Sequence, residues 1–409
     1  MKKVWKMSLL LVMAVVLASC EKLGGGSDAG YQINTFAFQE DEGEPWGIMD
    51  LDGKVIVKPR FDNMPNSAVG DRFTVYDPEL EVYTIYTLEA KPRKIGSYEN
   101  VGSFTGKYCP VKDKKGNIKY IDKEGKDAFS MKEVSKKTVT AGFNFFCGRA
   151  MVRTEDGKWG YIDESGKPVI PIKYYDAWNF AEDLAIVYLG ADDEPDNKWS
   201  VIDTNGNEVF SKKFKECRPS NFRFYGEYLV ASDKNDRSII LNRKGEVVKK
   251  LKEGVYVSAI YDNMFTQYDG EMEKFGMMNV NGEMVMKSKF EGLSYNGKLI
   301  VGSTSEKKPF ILNKEGEKVT KLPEGYVVLF EPEYKNYDKR LLVGNYDEGY
   351  ELCDSEGNTL KTEMDIHNYA MGYSWGFMDD GEEYDEDYSE EDFEDQGFDE
   401  EDEGDIEED

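Results

Sequence analysis

The segment Lys158-Trp159-Gly160-Tyr161-Ile162-Asp163-Glu164-Ser165-Gly166-Lys167 contains the clearest copy of a short motif. It reads as a short apolar strand, a four-residue turn and the start of a second strand. An Asp at the first turn position accepts a hydrogen bond from the backbone two residues on. A Gly at the fourth position adopts a positive φ without a Cβ clash. The segment therefore predicts a β-hairpin whose structural residues are Trp159, Gly160, Asp163 and Gly166.

The same hairpin recurs along the chain. Two further copies keep the tryptophan, and their structural residues are Trp46, Gly47, Asp50, Gly53, Trp199, Asp203 and Gly206. Other copies keep the apolar strand and the turn, which begins at Asp122, Asn242, Asn279, Asn313 and Asp354. A ninth copy, Thr84 to Ala90, is recognisable only by its place in the period, which is about 38 residues and close to the length of a β-propeller blade.

The order of these blocks resembles the bacterial WG repeat, also called the KWG repeat. The blocks are F-x-x-G-x-A-x-V, K-W-G-Φ-I-D-x-x-G-K and F/Y-D, where Φ is an apolar residue, and they recur through residues 33–378. The resemblance implies an exported protein, often a lipoprotein. It supplies no catalytic residue that could be transferred to this chain.

The pattern predicts an all-β fold of tandem β-repeats arranged as a β-propeller, with an open twisted β-solenoid as the alternative. Nine hairpins exceed the usual four to eight blades. Either the weak unit at Thr84–Ala90 is an embellishment and eight blades close, or the array stays open. If the ring closes, we expect the partial unit at Trp375–Met378 to add a strand to the first blade and protect its edge.

The N-terminus has the features of a lipoprotein signal. Lys2, Lys3 and Lys6 precede an apolar run that ends in Leu17-Ala18-Ser19-Cys20, and the run is too short to span a membrane. We therefore predict a signal peptide over residues 1–19, lipidation of Cys20 and a flexible tether over residues 20–32. The lipid is the expected membrane partner. Glu21 after the cysteine favours the outer membrane, with the periplasmic and surface faces both open.

Acidic residues are concentrated at the C-terminus. The formal net charge is −28, and residues 379–409 contribute −21 of it, with no Lys or Arg. Blocks of like charge repel and favour disorder, so we predict a disordered acidic tail with at most weak binding of divalent cations. Neither the tail nor the mildly acidic repeat body suits nucleic acid as a partner.

Catalytic and metal-binding residue types are scarce. His367 is the single histidine, which argues against Ser-His or Cys-His catalysis and multi-histidine metal sites. The loop Asp50-Leu51-Asp52-Gly53 lacks the further ligands of a calcium site. Four cysteines outside the signal match no zinc spacing, and both buried thiols and disulfides remain open for Cys109, Cys147, Cys217 and Cys353.

We therefore predict a non-enzymatic envelope lipoprotein that binds an envelope protein or glycan, without cofactor or metal. The alternative is an enzyme acting on glycan or peptide through paired carboxylates on one face of the array. Asp62, Asp176 and Asp262 are candidates, but they recur too regularly to mark one unique site. Trp178 lies outside the repeat position and is the tryptophan most suited to contact a ligand.

Overall fold

The computed structural model describes residues 33–190, 199–210, 217–233, 235, 237–257, 259–304, 308–332, 334, 337–372 and 376–378. These ranges contain 36 β-strands and one short 3-10 helix, Tyr337–Lys339. The all-β prediction is confirmed. The chain divides into two units after Met378, and the second unit, the predicted acidic tail, lies outside the described residues.

Short strands follow one another throughout the first half of the chain. The first ten are β1 (Thr35–Gln39), β2 (Trp46–Asp50), β3 (Val55–Phe61), β4 (Arg72–Asp77), β5 (Val82–Thr87), β6 (Lys94–Tyr98), β7 (Asn100–Val101), β8 (Cys109–Lys112), β9 (Ile118–Ile121) and β10 (Asp127–Ser130). The next eight are β11 (Glu133–Val134), β12 (Lys137–Phe146), β13 (Arg149–Thr154), β14 (Trp159–Ile162), β15 (Pro168–Tyr174), β16 (Asp176–Ala177), β17 (Leu184–Tyr188) and β18 (Trp199–Asp203).

The second half continues in the same way. It contains β19 (Cys217–Tyr225), β20 (Tyr228–Asp233), β21 (Ser238–Asn242), β22 (Val247–Lys250), β23 (Val255–Val257), β24 (Met264–Asp269), β25 (Lys274–Asn279), β26 (Met284–Phe290) and β27 (Gly292–Tyr295). The last nine are β28 (Ile300–Ser303), β29 (Pro309–Leu312), β30 (Lys318–Lys321), β31 (Tyr326–Leu329), β32 (Arg340–Asn345), β33 (Gly349–Asp354), β34 (Thr359–Lys361), β35 (Asn368–Ala370) and β36 (Gly376–Met378).

These strands form nine antiparallel sheets, the blades of a β-propeller, which confirms the predicted fold class. Blade 1 is β35-β1-β2-β3, and blades 2 to 9 follow as β4–β6, β7–β10, β11–β15 with β36, β16–β18, β19–β22, β23–β26, β27–β30 and β31–β34. The alternative in which Thr84–Ala90 is an embellishment and eight blades close was wrong. Thr84–Ala90 belongs to blade 2, where β5 pairs with β4 on one side and β6 on the other.

Blade 2 was hard to recognise because its turn is built differently. Thr87 replaces the usual Asp, and its hydroxyl accepts a hydrogen bond from the Arg93 backbone N–H at 2.9 Å, six residues on. The same hydroxyl donates to Glu89 Oε1 at 2.6 Å. A longer turn therefore connects the same pair of strands without the Asp-x-x-Gly signature.

Strands from the beginning and near the end of the described chain pair in blade 1. Strand β35 pairs antiparallel with β1, with Ala370 opposite Ala37, so the array is a closed ring. The expected seal was wrong, because β36 pairs with β12 of blade 4, where Phe377 lies opposite Gly142. The first extended segment after the crossover from blade 9 is β35, which takes the free edge of β1 before the chain reaches Trp375.

Apolar side chains fill the space between neighbouring blades. One buried cluster also joins blades that are not neighbours, because it contains Phe36 of blade 1, Phe146 of blade 4, Phe180 of blade 5 and Phe330 of blade 9. The Phe36 and Phe330 rings lie 6.0 Å apart. Phe36 and Phe330 belong to the neighbouring blades 1 and 9, and the same cluster extends to blades 4 and 5.

Candidate functional site

The turn residue Asp163 shows what holds each hairpin together. Its Oδ1 accepts backbone hydrogen bonds from Ser165 at 2.9 Å and Lys167 at 3.1 Å. Gly166 has a φ of 78° and donates its N–H to the Asp163 carbonyl at 2.9 Å. Partial burial alone would raise the pKa of the Asp163 carboxyl, but the hydrogen bonds from Ser165 and Lys167 hold that pKa below its usual value.

The other two tryptophan-containing copies have the same turn. Asp50 Oδ1 accepts from Lys54 N at 2.8 Å, and Asp203 Oδ1 accepts from Asn207 N at 2.9 Å. Gly53 and Gly206 have φ values of 79° and 81°. These carboxylates are engaged by the backbone of their own turn. They hold the hairpin and do not converge on a ligand.

The Trp-Gly pair positions the third and fourth strands of a blade. Trp159 lies opposite Tyr174, and the next paired residues are Tyr161 and Ile170, so Gly160 faces a three-residue bulge. A Cβ on Gly160 would lie 2.6 Å from Ile172 Cδ1 and 2.8 Å from the carbonyl oxygens of Ile170 and Pro171. The glycine is therefore required by close approach of the outer strand.

Blades 1 and 7 repeat this arrangement. Trp46 lies opposite Phe61, and Phe275 lies opposite Phe290. A Cβ on Gly47 would lie 2.8 Å from the Val57 carbonyl oxygen. The aromatic block that follows each of these hairpins is thus the cross-strand partner of the tryptophan position, fifteen residues later.

The tryptophans pack within the blades. Trp159 and Trp199 are buried, and Trp46 is half-buried. The Trp199 ring centroid lies 4.8 Å from that of Tyr188 and 4.9 Å from that of Trp178. Trp178, the candidate for ligand contact, is half-buried in this aromatic stack.

At three places in the described ranges, an arginine Nε bonds to the Asp turn of the next blade, a contact that the sequence pattern did not predict. Arg149 of blade 4 donates from Nε to the Thr204 carbonyl of blade 5 at 2.7 Å. Arg72 makes the equivalent bond from blade 2 to the Lys123 carbonyl of blade 3, at 3.1 Å. In each case the acceptor directly follows the turn Asp of the next blade.

The third arginine closes the ring. Arg340 of blade 9 donates from Nε to the Leu51 carbonyl of blade 1 at 2.8 Å, and from Nη2 to Asp52 Oδ1 at 2.7 Å. Arg72, Arg149 and Arg340 are the first residues of β4, β13 and β32. Each of them also donates from Nη1 to the preceding carbonyl. An arginine just before an apolar strand is the sequence signal that could have found them.

A half-buried carboxyl of blade 9 contacts blade 7. Tyr261 donates its hydroxyl hydrogen to Glu331 Oε2 at 2.6 Å. Burial raises the pKa of Glu331, and the Tyr261 hydrogen bond and the charge of Arg223 partly oppose that rise. The hydrogen bond therefore links two blades that are not neighbours in the ring.

The three recurring carboxylates lie in different parts of the ring. Asp62 follows blade 1, Asp176 opens blade 5, and Asp262 lies before the second strand of blade 7, 3.4 Å from Lys298 Nζ. His367 donates its backbone N–H to the Gln39 carbonyl at 2.7 Å. No group of three or more His, Cys, Asp or Glu in the described part of the chain could hold a metal ion.

The cysteines differ in state. Cys109 and Cys353 are buried free thiols, and burial raises the pKa of Cys353 to about 11. Cys147 is disulfide-bonded. The Cys217 side chain and the predicted lipidation site Cys20 lie outside the described residues. Within the described ranges, no helix has the length and apolar character needed to span a membrane.

The comparisons with known proteins agree with this geometry. A family model described as "WG containing repeat" matches residues 46–67, 159–191 and 199–223. No curated protein matches the chain. A crystal structure of a eukaryotic initiation factor is 13% identical with a TM-score of 0.55, covering 84% of this chain and 98% of that one.

A second similar structure is BamB from Moraxella catarrhalis. It is 13% identical with a TM-score of 0.37, covering 67% of this chain and 87% of that one. At 13% identity and a TM-score of 0.55, the likeness to the initiation factor shows the fold alone. The chain therefore carries WG-containing repeats at residues 46–67, 159–191 and 199–223, within a nine-bladed β-propeller.

Proposed function

We propose that this protein is a non-enzymatic binding scaffold attached to the bacterial envelope by a lipid on Cys20. The main support for this proposal is that the polar side chains of the repeats bond to the protein's own backbone. Turn carboxylates such as Asp163 are satisfied by their own backbone, and Arg149 and its equivalents join blades. Such a ring is a rigid frame whose exposed turns are free to meet a partner.

The envelope location rests on two observations. The first is the basic, apolar and Leu17-Ala18-Ser19-Cys20 sequence at the N-terminus. The second is the disulfide at Cys147, which is typical of proteins that fold in an oxidising compartment. A tether over residues 20–32 would hold the ring away from the membrane surface.

Lipidation is tested by labelling cells with a radioactive fatty acid. Wild type should take up label, and Cys20→Ala should not, because the thioether-forming sulfur is missing. Equal label in the two proteins would refute the anchor.

Binding is tested by capture. The mature chain without its lipid, immobilised and exposed to envelope extract, should retain one protein or glycan saturably. Hydrolysis of glycan or peptide substrates that is lost in Asp62→Asn, Asp176→Asn or Asp262→Asn would instead support the enzymatic alternative.

A further inference from the structure

The alternating strand direction gives the ring two different faces. In most blades the turn between the third and fourth strands carries the Asp-x-x-Gly motif, and these turns lie on what we call the Asp-turn face. The turns between the second and third strands lie on the opposite side, together with the crossovers between blades. We call that side the crossover face, and residues 77–82, 269–274 and 361–368 belong to it. In blade 2, which has three strands, the equivalent turn joins β4 and β5.

Three of the apolar side chains that protrude from the crossover face share one sequence context. Leu80 is 59% exposed, Met272 is 53% exposed and Met364 is 81% exposed. Each has an acidic residue directly before and after it, which are Glu79, Glu81, Glu271, Glu273, Glu363 and Asp365. An exposed apolar tip between two carboxylates therefore occurs three times on one face.

Two of these tips are built by the same turn in different blades. Asp77 Oδ1 accepts from Leu80 N at 3.1 Å, and Asp269 Oδ1 accepts from Met272 N at 3.2 Å. The next residues, Glu81 and Glu273, have φ values of 52° and 51°. The backbone bonds go to the aspartate, so the apolar side chain contributes nothing to forming the turn.

Apolar residues in the Asp-x-x-Gly turns of the Asp-turn face are buried, unlike the protruding tips. Leu51 and Val280 occupy its turns and are both buried. Exposed aliphatic residues elsewhere, such as Val169 and Val319, lie on outermost strands, where one face of the edge strand meets solvent. The protruding tips are therefore particular to the crossover face.

The tip at Met364 is part of a larger patch. Tyr346, in the adjacent turn of blade 9, is 61% exposed, and its ring lies 6.5 Å from that of His367 in the same crossover. His367 also bonds to Gln39, which precedes the acidic loop Glu40–Glu44 of blade 1. Lys361 approaches Asp365 at 3.7 Å and offsets only part of this charge.

We propose that the crossover face binds a partner protein through lysine or arginine side chains of that partner. These residues have an apolar stem and a charged head. The stem would lie on Leu80, Met272 or Met364, and the head would meet the flanking carboxylates. The same carboxylates repel phosphate and anionic lipid. The proposal rests on the proposed scaffold function and specifies the chemistry of its partner.

The test uses the full mature chain and a lysine nonamer that carries a photoreactive benzophenone. Among crosslinks to residues 33–378, most should fall within residues 77–82, 269–274 and 361–368. A nonamer of 2,4-diaminobutyrate has the same number of amines on shorter stems and should label these segments several-fold less. This difference separates contact with the apolar tips from charge attraction alone.

Two triple variants complete the test. The first variant should reduce labelling of the three segments at least tenfold, and it combines Leu80→Ser, Met272→Ser and Met364→Ser. The matched control should be labelled like wild type, and it replaces three exposed valines of outermost strands: Val169→Ser, Val247→Ser and Val319→Ser. Circular dichroism verifies that both triple variants fold. Labelling on the Asp-turn face, labelling confined to residues 379–409, or no loss in the first variant would overturn the proposal. If such a result accompanied saturable capture of an envelope component, the scaffold function would stand and only the partner chemistry would fall.

Discussion

Replacement of Gly160 by alanine tests whether this position must lack a Cβ because the outer strand approaches it closely. The added Cβ would lie 2.8 Å from two backbone carbonyl oxygens, Ile170 O and Pro171 O, and 2.6 Å from Ile172 Cδ1. Backbone atoms in a paired strand cannot move aside as a flexible side chain can. Overpacking of this kind costs about 2 kcal/mol, and for a domain of roughly 340 residues that corresponds to a melting temperature ~3 °C lower.

The matched control is Gly292→Ala, because its added Cβ would meet only Ser303 Oγ, at 2.9 Å, which can rotate away. Thermal unfolding followed by circular dichroism compares the two variants with wild type. We expect Gly292→Ala to melt within about 1 °C of wild type, since the new methyl group is accommodated. If Gly160→Ala melts as wild type does, close approach is not the reason for this glycine.

The remaining predictions concern ring closure and the turns. Arg340→Ala removes the bonds to Leu51 O and Asp52 Oδ1 and should lower the free energy of unfolding by about 1–2 kcal/mol. Amide hydrogen exchange should become faster in Thr35–Gln39 and Asn368–Ala370. The control Arg72→Ala should instead raise exchange at the contact between blades 2 and 3, and identical exchange maps for the two variants would contradict this prediction. The pKa values of Asp163, Asp203 and Asp354 are lowered in the fold, so their stabilisation is present above the unfolded pKa of about 3.9 and is lost as the pH falls through the native values. Asp163→Asn, which keeps the acceptor oxygen used at Asn242 and Asn279, should show a smaller loss of urea stability between about pH 5 and pH 2 than wild type; an unchanged loss would mean that the Asp163 carboxylate does not contribute.

Local features of the chain could be predicted from the sequence because their physics is local. The turn at Asp163 and Gly166 is specified within five residues, and its repetition gave the blade period and the all-β class. The blade count was wrong because the Thr87 turn has no such signature. The correct seal was missed because β35 and β1 are separated by more than three hundred residues, and pairing over that distance leaves no pattern in either segment.

Contacts between blades also could not be predicted from the sequence. Arg72, Arg149 and Arg340 bond to carbonyls of the next blade, so no spacing within one repeat reveals their partners. The pairing of Trp159 with Tyr174 is different, because both residues recur fifteen positions apart and the regularity was visible. The protruding tips were not foreseen, since exposure of Leu80 or Met364 depends on which face each turn occupies.

The double substitution Gln39→Cys and Asn368→Cys tests whether the nine blades close into a ring. These residues are Cα partners in the antiparallel pair of β1 and β35, and such partners lie about 4.5–5.5 Å apart, within disulfide range. The ring predicts a disulfide that forms in the folded protein, increases gel mobility without reductant and stabilises the fold by up to about 5 kcal/mol, because it closes a very long loop. Spin labels at the same two positions separated by several nanometres, with no disulfide formed, would show an open array and contradict the account.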